Sequence, residues 1–227
     1  MMPIGTRTLL FGVHHFFLHG FLVWLAWRRI YGVTPSWREA VAIFFHDYGY
    51  VGKPDLDGEL GQLHPDLSAR IVRLLFKDPE IEYLVRFHSR AYTQEHGNAQ
   101  LSALALPDKL SLLLYPKTLY LVLARASGEI NEYKIRMNLK HLSDTAWLEH
   151  TKQLAFDWAV ANTPLQYKER LHSHFASKVS NKPQLIPAWS SRFAKRWSSL
   201  PTRLQRRRQN TGAIARIFSA DTRPTAG

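Results

Sequence analysis

Apolar side chains recur every three to four positions through the first two thirds of the chain, and nowhere do β-branched residues alternate between turn signals. The pattern predicts an all-α fold. Residues 8–31 read as one helix stopped by Gly32, with Arg28 and Arg29 in its last turn. A second helix starts at Ser36, whose hydroxyl can cap it with Glu39 as the capping-box partner. It turns Ala40, Ile43 and Phe44 inward and ends at His46-Asp47. Residues 48–63 carry Gly49, Gly52, Gly58, Gly61 and Pro54 without an apolar period, which predicts a loop. Loops of this length are often functional. A third helix begins after His64-Pro65 and ends at Lys77-Asp78-Pro79, with Leu67, Ile71, Leu74 and Leu75 as its apolar stripe. A short helix over about 80–88 ends near His88, a polar connection follows over 91–98, and 101–114 is a strongly apolar helix. Residues 116–126, 129–139 and 143–161 complete the helical pattern, the last carrying Trp147, Leu154, Phe156 and Trp158.

Beyond Pro164 prolines, serine pairs and basic clusters replace this pattern. The chain divides into a helical domain, residues 1–165, and a basic C-terminal extension, residues 166–227, expected to be partly helical or disordered. Charge supports the division. The formal net charge of +12 resolves into +1 for residues 1–165 and +11 for residues 166–227, so the basicity belongs to the extension. Twelve Phe, nine Tyr and seven Trp are ample for a buried core, and the absence of Cys excludes disulfides, thiolate metal sites and a cysteine nucleophile. Residues 9–27 contain no formal charge and approach the length of a membrane span. His14, His15, His19 and two glycines inside the stretch favour a buried helix instead, and a cytoplasmic location is expected. The same histidines, with Trp27-Arg28-Arg29 after them, argue against a cleaved signal peptide.

The chemistry lies in imidazoles and carboxylates at the ends and faces of these helices. His46-Asp47 closes one apolar run, His64 opens the next helix, His88 ends a short one, and Asp108 interrupts LALPDKLSLLL. A lone histidine on an apolar helix is more often a hydrogen-bonded core residue, and an Asp after it can end the helix. Asp108 is harder to explain that way, because acids rarely sit among leucines unless paired, metal-bound or in a first helical turn behind a residue such as Pro107. Together these residues form a set of N and O donors suited to transition metals.

The order His, His-Asp, His, His, Asp resembles the HD-domain metal-dependent phosphohydrolase superfamily. It is most similar to the dinuclear members with two additional histidines, such as the bacterial diadenosine-tetraphosphate hydrolases. The likeness covers about residues 12–115 and implies an HD-domain-like helical bundle. His46, Asp47, His64, His88 and Asp108 match the family's slots. The first histidine is His19, 27 residues before His46, or alternatively His14 or His15. The resemblance implies two divalent metal ions, iron or manganese, with magnesium as an alternative. Asp47 would bridge them, with His19, His46 and Asp108 on one ion and His64 and His88 on the other. It further implies hydrolysis of a nucleotide or related phosphoester by a metal-activated water, with Lys53, Arg90, Lys109 and Arg125 as candidate phosphate-binding cations. The run His46-Asp47-Tyr48-Gly49-Tyr50 departs from the family's usual continuation with an aliphatic residue, Gly and Lys, which weakens the part assigned to Lys53.

Two other readings stand beside it. Some members of the superfamily use a di-iron pair to activate oxygen. Alternatively, the metal pocket is structural and the extension is the working part. Residues 187–197, PAWSSRFAKRW, place Trp189, Phe193 and Trp197 at helical spacing beside Arg192, Lys195 and Arg196, with Arg203 and Arg206 to Arg208 after them. That pattern suits nucleic acid, an anionic membrane, or a helix packed on the domain.

Overall fold

The structure, a computed structural model, describes residues 2–96 and 100–179. All of them belong to one compact unit, Met1–Gln184. The aromatic and arginine cluster of residues 187–208 lies outside the described residues.

Eleven α-helices and four short 3-10 turns build the unit, with no strand among the described residues. They are α1 (Ile4–Phe11), α2 (Phe16–Tyr31), α3 (Trp37–Phe45), α4 (His64–Phe76), α5 (Pro79–Arg86), α6 (Arg90–Glu95), α7 (Ala105–Leu114), α8 (Lys117–Ser127), α9 (Glu129–Arg136), α10 (Asp144–Asn162) and α11 (Lys168–Phe175). The fold is all-α, as the apolar period requires. α2 is its axis, packing against α3, α7 and α11. Its Leu22 enters one apolar cluster with Tyr120, Leu121, Trp147 and Leu148. Its Val23 and Trp27 enter a second, with Ile43, Val72, Val85 and Leu104. The strip between these two cores is where the polar side chains of α2 meet those of α3 and α7.

Local chemistry sets most boundaries. The Ser36 hydroxyl accepts from the Glu39 N–H while the Glu39 carboxylate accepts from the Ser36 N–H, which satisfies two orphan donors of α3. Pro65 and Pro79 occupy first turns, where a missing N–H costs nothing. Gly32 and Gly128 end α2 and α8 in the left-handed conformation.

Four expectations need correction. Residues 8–31 form not one helix but α1 and α2, bent by 69°. The break is held by polar anchors: the Val13 N–H donates to Glu129 Oε1 at 2.8 Å, and the Tyr115 hydroxyl donates to the Val13 carbonyl. Gly12 leaves room for the Glu129 carboxylate there, where a Cβ would overlap it. The stripe assigned to the third helix faces outward: Leu67, Leu74 and Leu75 are exposed, Leu74 at 79%. Ser68, Ala69 and Val72 face inward instead: Ser68 meets Gly49 of the 3-10 turn Tyr48–Tyr50, and Ala69 and Val72 join the second core. The connection expected over 91–98 contains the end of α6, and residues 97–98 lie outside the described residues. The loop at 48–63 holds two 3-10 turns, Tyr48–Tyr50 and Gly61–Leu63.

No helix among the described residues is long and apolar enough to cross a membrane; only α1 and α2 taken together, across their bend, reach that length and composition.

Candidate metal centre

Each histidine in the strip is aimed by the backbone just before it. His46 follows the last residue of α3, and its Nδ1–H donates to the Ile43 carbonyl at 2.6 Å. His64 opens α4 after the 3-10 turn and donates from Nδ1 to Gly61 at 2.8 Å. His88 lies just beyond α5 and donates from Nδ1 to Val85 at 2.6 Å. In all three the acceptor is the carbonyl three residues upstream, so Nδ1 is occupied and Nε2 is turned inward. This is the outer-sphere arrangement that orients metal-ligating histidines. His19, on the inner face of α2, has Ser111 Oγ 3.5 Å from its Nδ1.

The inward atoms fall into two sets that share Asp47. His19 Nε2 lies 3.3 Å from His46 Nε2, 3.2 Å from Asp47 Oδ2 and 3.1 Å from Asp108 Oδ1. His46 Nε2 is 3.3 Å from the same Asp47 oxygen and 3.6 Å from Asp108 Oδ1. On the other side of the carboxylate, Asp47 Oδ1 is 3.4 Å from His64 Nε2 and 3.6 Å from His88 Nε2, and those two nitrogens are 3.2 Å apart. Donors bound at about 2.0–2.2 Å to one transition metal sit roughly 3.0–3.5 Å from each other, so the spacing fits such an ion. Four imidazoles and two carboxylates, with Asp108 the most open at 21% side-chain exposure, could therefore hold a metal ion in a buried pocket.

The imidazoles and carboxylates of the cluster hold one another's charge against burial. Burial opposes charge on His46, but the Asp47 and Asp108 carboxylates outweigh it and raise its pKa well above the ordinary value. Burial likewise opposes charge on Asp47 and Asp108. The imidazoles, His46 foremost for Asp47 and His19 for Asp108, hold both carboxyls well below the usual range. His64 behaves oppositely: burial, aided by His88 and His46 and countered by Asp47, lowers its pKa to about 3. Its Nε2 is thus a neutral donor at physiological pH, which is the state a metal requires.

The structure brings together His19, His46, Asp47, His64, His88 and Asp108. It does not bring in the two alternatives for the first histidine. His15 accepts from the Leu18 N–H as the N-cap of α2 and stacks on Phe16. His14 Nδ1 turns instead to Glu129 Oε2, 3.1 Å away. Of the expected cations, Arg90 and Lys109 are half-buried, two residues after His88 and next to Asp108. Lys53 is half-buried in the loop, where its carbonyl accepts the Gly5 N–H. Arg125 is engaged elsewhere, with its Nε donating to Asp144 at 2.7 Å.

Four supporting groups escaped the sequence pattern. Tyr50 stacks on the His64 ring with centroids 3.9 Å apart. Ser68 accepts the Gly49 N–H at 2.8 Å, and Ser111 donates to the Asp108 carbonyl at 2.6 Å. Gly49 itself packs against the His64 carbonyl so tightly that a Cβ there would overlap it. Its placement two residues after Asp47 offered a signal, because a glycine inside YGY marks a close backbone approach. Gly49→Ala should push the start of α4 away and misplace His64. We expect a loss of metal affinity of about 10- to 100-fold, the range seen when a ligand's support is removed, measured by metal titration of chelator-stripped protein.

Compared with protein-family models, curated proteins and solved structures, the chain matches none of them.

Proposed function

We propose that the protein is a dinuclear, metal-dependent phosphohydrolase of the HD type, acting on a nucleotide or related phosphoester. One observation carries the reading: the two oxygens of Asp47 face two separate donor sets, His19, His46 and Asp108 on one side, and His64 and His88 on the other. A single structural ion would not need a carboxylate divided in this way. The donor set is mixed N and O, without thiolate, and suits iron or manganese, with magnesium as an alternative. Such a pair of ions supplies a nucleophilic water at neutral pH and neutralises charge on the phosphoryl oxygens.

The chain's own residues do the rest. Asp47, His46 and His64 orient the centre from elements fixed by backbone hydrogen bonds, so little reorganisation accompanies the reaction. Asp108, the most open of the donors, marks the side from which a substrate enters. Arg90 and Lys109 lie beside two of the metal-side residues, where an arginine fork and a lysine point charge complement phosphate oxygens.

The test is a panel of nucleoside mono-, di- and oligophosphates with protein reloaded separately with Fe, Mn and Mg. We expect phosphate release from at least one substrate with Mn or Fe, and none from Asp47→Ala. Substrate-dependent oxygen consumption without phosphate release would replace the reading with a di-iron oxygenase.

A further inference from the structure

The face of α2 opposite His19 carries an aromatic stripe whose Phe17 and Phe21 are exposed and whose Trp24 is half-buried against the second core. Phe17, Phe21, Trp24 and Arg28 follow at i, i+4, i+7 and i+11, which places them within about 60° of the helix circumference. Phe17 and Phe21 are 62% and 49% exposed. The Phe21 and Trp24 rings stack with centroids 6.0 Å apart, and the Arg28 guanidinium lies 4.9 Å over Trp24. At its far end the stripe runs into a cleft of about 330 Å³ between the end of α2 and α11, lined by Leu25, Arg28, Arg29, Arg170 and His174 among others. Among the described residues no carboxylate lines this cleft, and Arg28, Arg29 and Arg170 join no ion pair. α11 is fixed there by Leu171 and Phe175, both fully buried, so Arg170 and His174 are held on one side of it. The carbonyl end of α2 carries about half a negative charge, which three guanidiniums outweigh.

We propose that this face seats the protein on an anionic phospholipid surface, with Phe17 and Phe21 entering the headgroup boundary and the arginine cleft holding lipid phosphate. The segregation of the groups favours a bilayer. Apolar rings come first along the axis, an amphipathic Trp next and cations last, so a helix inclined to the bilayer sets its Phe end toward the acyl chains and its Arg end among the headgroups. Single-stranded nucleic acid asks for cations interleaved with open ring faces. Here Trp24 is flanked by Phe21 and Arg28, and the Phe17–Phe21 end has no cation on the stripe. The metal pocket lies on the other side of α2, so docking leaves it free.

Full-length protein sedimented with vesicles of phosphatidylcholine, with and without about a third phosphatidylglycerol, tests the proposal. Wild type should partition to the anionic vesicles. Phe17→Ser/Phe21→Ser should lose about tenfold or more in partition, since two large apolar groups no longer leave water. Arg29→Glu/Arg170→Glu should lose a similar factor on anionic vesicles only, and raised salt should abolish its difference from wild type. Residues after 179 are present in every variant, so the differences isolate this face. Unchanged helicity and metal content show that both variants fold. The proposal is overturned if Phe17→Ser/Phe21→Ser partitions like wild type. It is equally overturned if the arginine variant loses binding to a single-stranded RNA 20-mer while keeping vesicle binding.

Discussion

Asp47→Ala should leave the protein folded but unable to hold its metal. Loss of an outer-sphere partner already costs about 10–100-fold in metal affinity, so removal of the group shared by both donor sets should exceed 10²-fold. Under the proposed phosphohydrolase activity, phosphate release should fall to the uncatalysed background. Asp47→Asn is the sharper variant because its shape is nearly unchanged. One side of the amide would present an NH₂, which has no lone pair to offer a metal ion, where the carboxylate presented an oxygen. Elemental analysis after purification without chelator should find about two equivalents in wild type and far fewer in either variant, with far-UV circular dichroism unchanged. Wild-type occupancy in both variants would remove Asp47 from the centre. A single equivalent in wild type would break the dinuclear proposal while leaving a metal site in place.

How far the site was legible depended on local rules. His64 sits at a helix start that Pro65 announces, while His46 and His88 follow the ends of helices whose starts Ser36 and Pro79 announce. Asp108 was conspicuous as an acid among leucines, and it does sit in the first turn of α7, where the helix dipole also favours it. The choice among His14, His15 and His19 could not be made from spacing. All three lie in one apolar stretch, and the bend that separates them is caused by Glu129, more than a hundred residues away. The inner face of α4 was misjudged for a related reason. Leu67, Ile71, Leu74 and Leu75 and the smaller set Ser68, Ala69 and Val72 both have helical period. The inner set is selected by its partners, Gly49 beside Ser68 and the second core beside Ala69 and Val72. Periodicity identifies a helix reliably, but its buried side is decided by the partner's shape.

Glu129→Ala should be the most destabilising single change in the described fold. The carboxylate is fully buried and gathers four groups, three from residues 8–14 at the α1–α2 junction and one from neighbouring Ser127. The Thr8 hydroxyl donates to it at 3.0 Å, the Val13 N–H at 2.8 Å and the Ser127 hydroxyl at 2.6 Å, while His14 Nδ1 lies 3.1 Å away. Alanine would strand these donors beneath protein, each at about 1–3 kcal/mol, and break a buried charge pair worth roughly 3–5 kcal/mol when one partner is lost. These costs overlap, and about 3–5 kcal/mol in all is expected from urea unfolding of chelated protein. The histidine adds a pH signature. Burial opposes charge on His14, but Glu129, with Asp47 and Asp108 behind it, raises its pKa from 6.5 to about 9. Its stabilising contribution is therefore complete below pH 6.5 and is lost as pH rises through about 9. The stability gap between wild type and Glu129→Gln should accordingly narrow over that interval. A gap constant from pH 6 to pH 10 would mean that the imidazole is neutral in the fold and that Glu129 acts through its other three donors alone. Because the same carboxylate fixes the bend that turns His19 toward Asp108, its removal should also lower metal content, coupling the stability of the α1–α2 junction to occupancy of the centre.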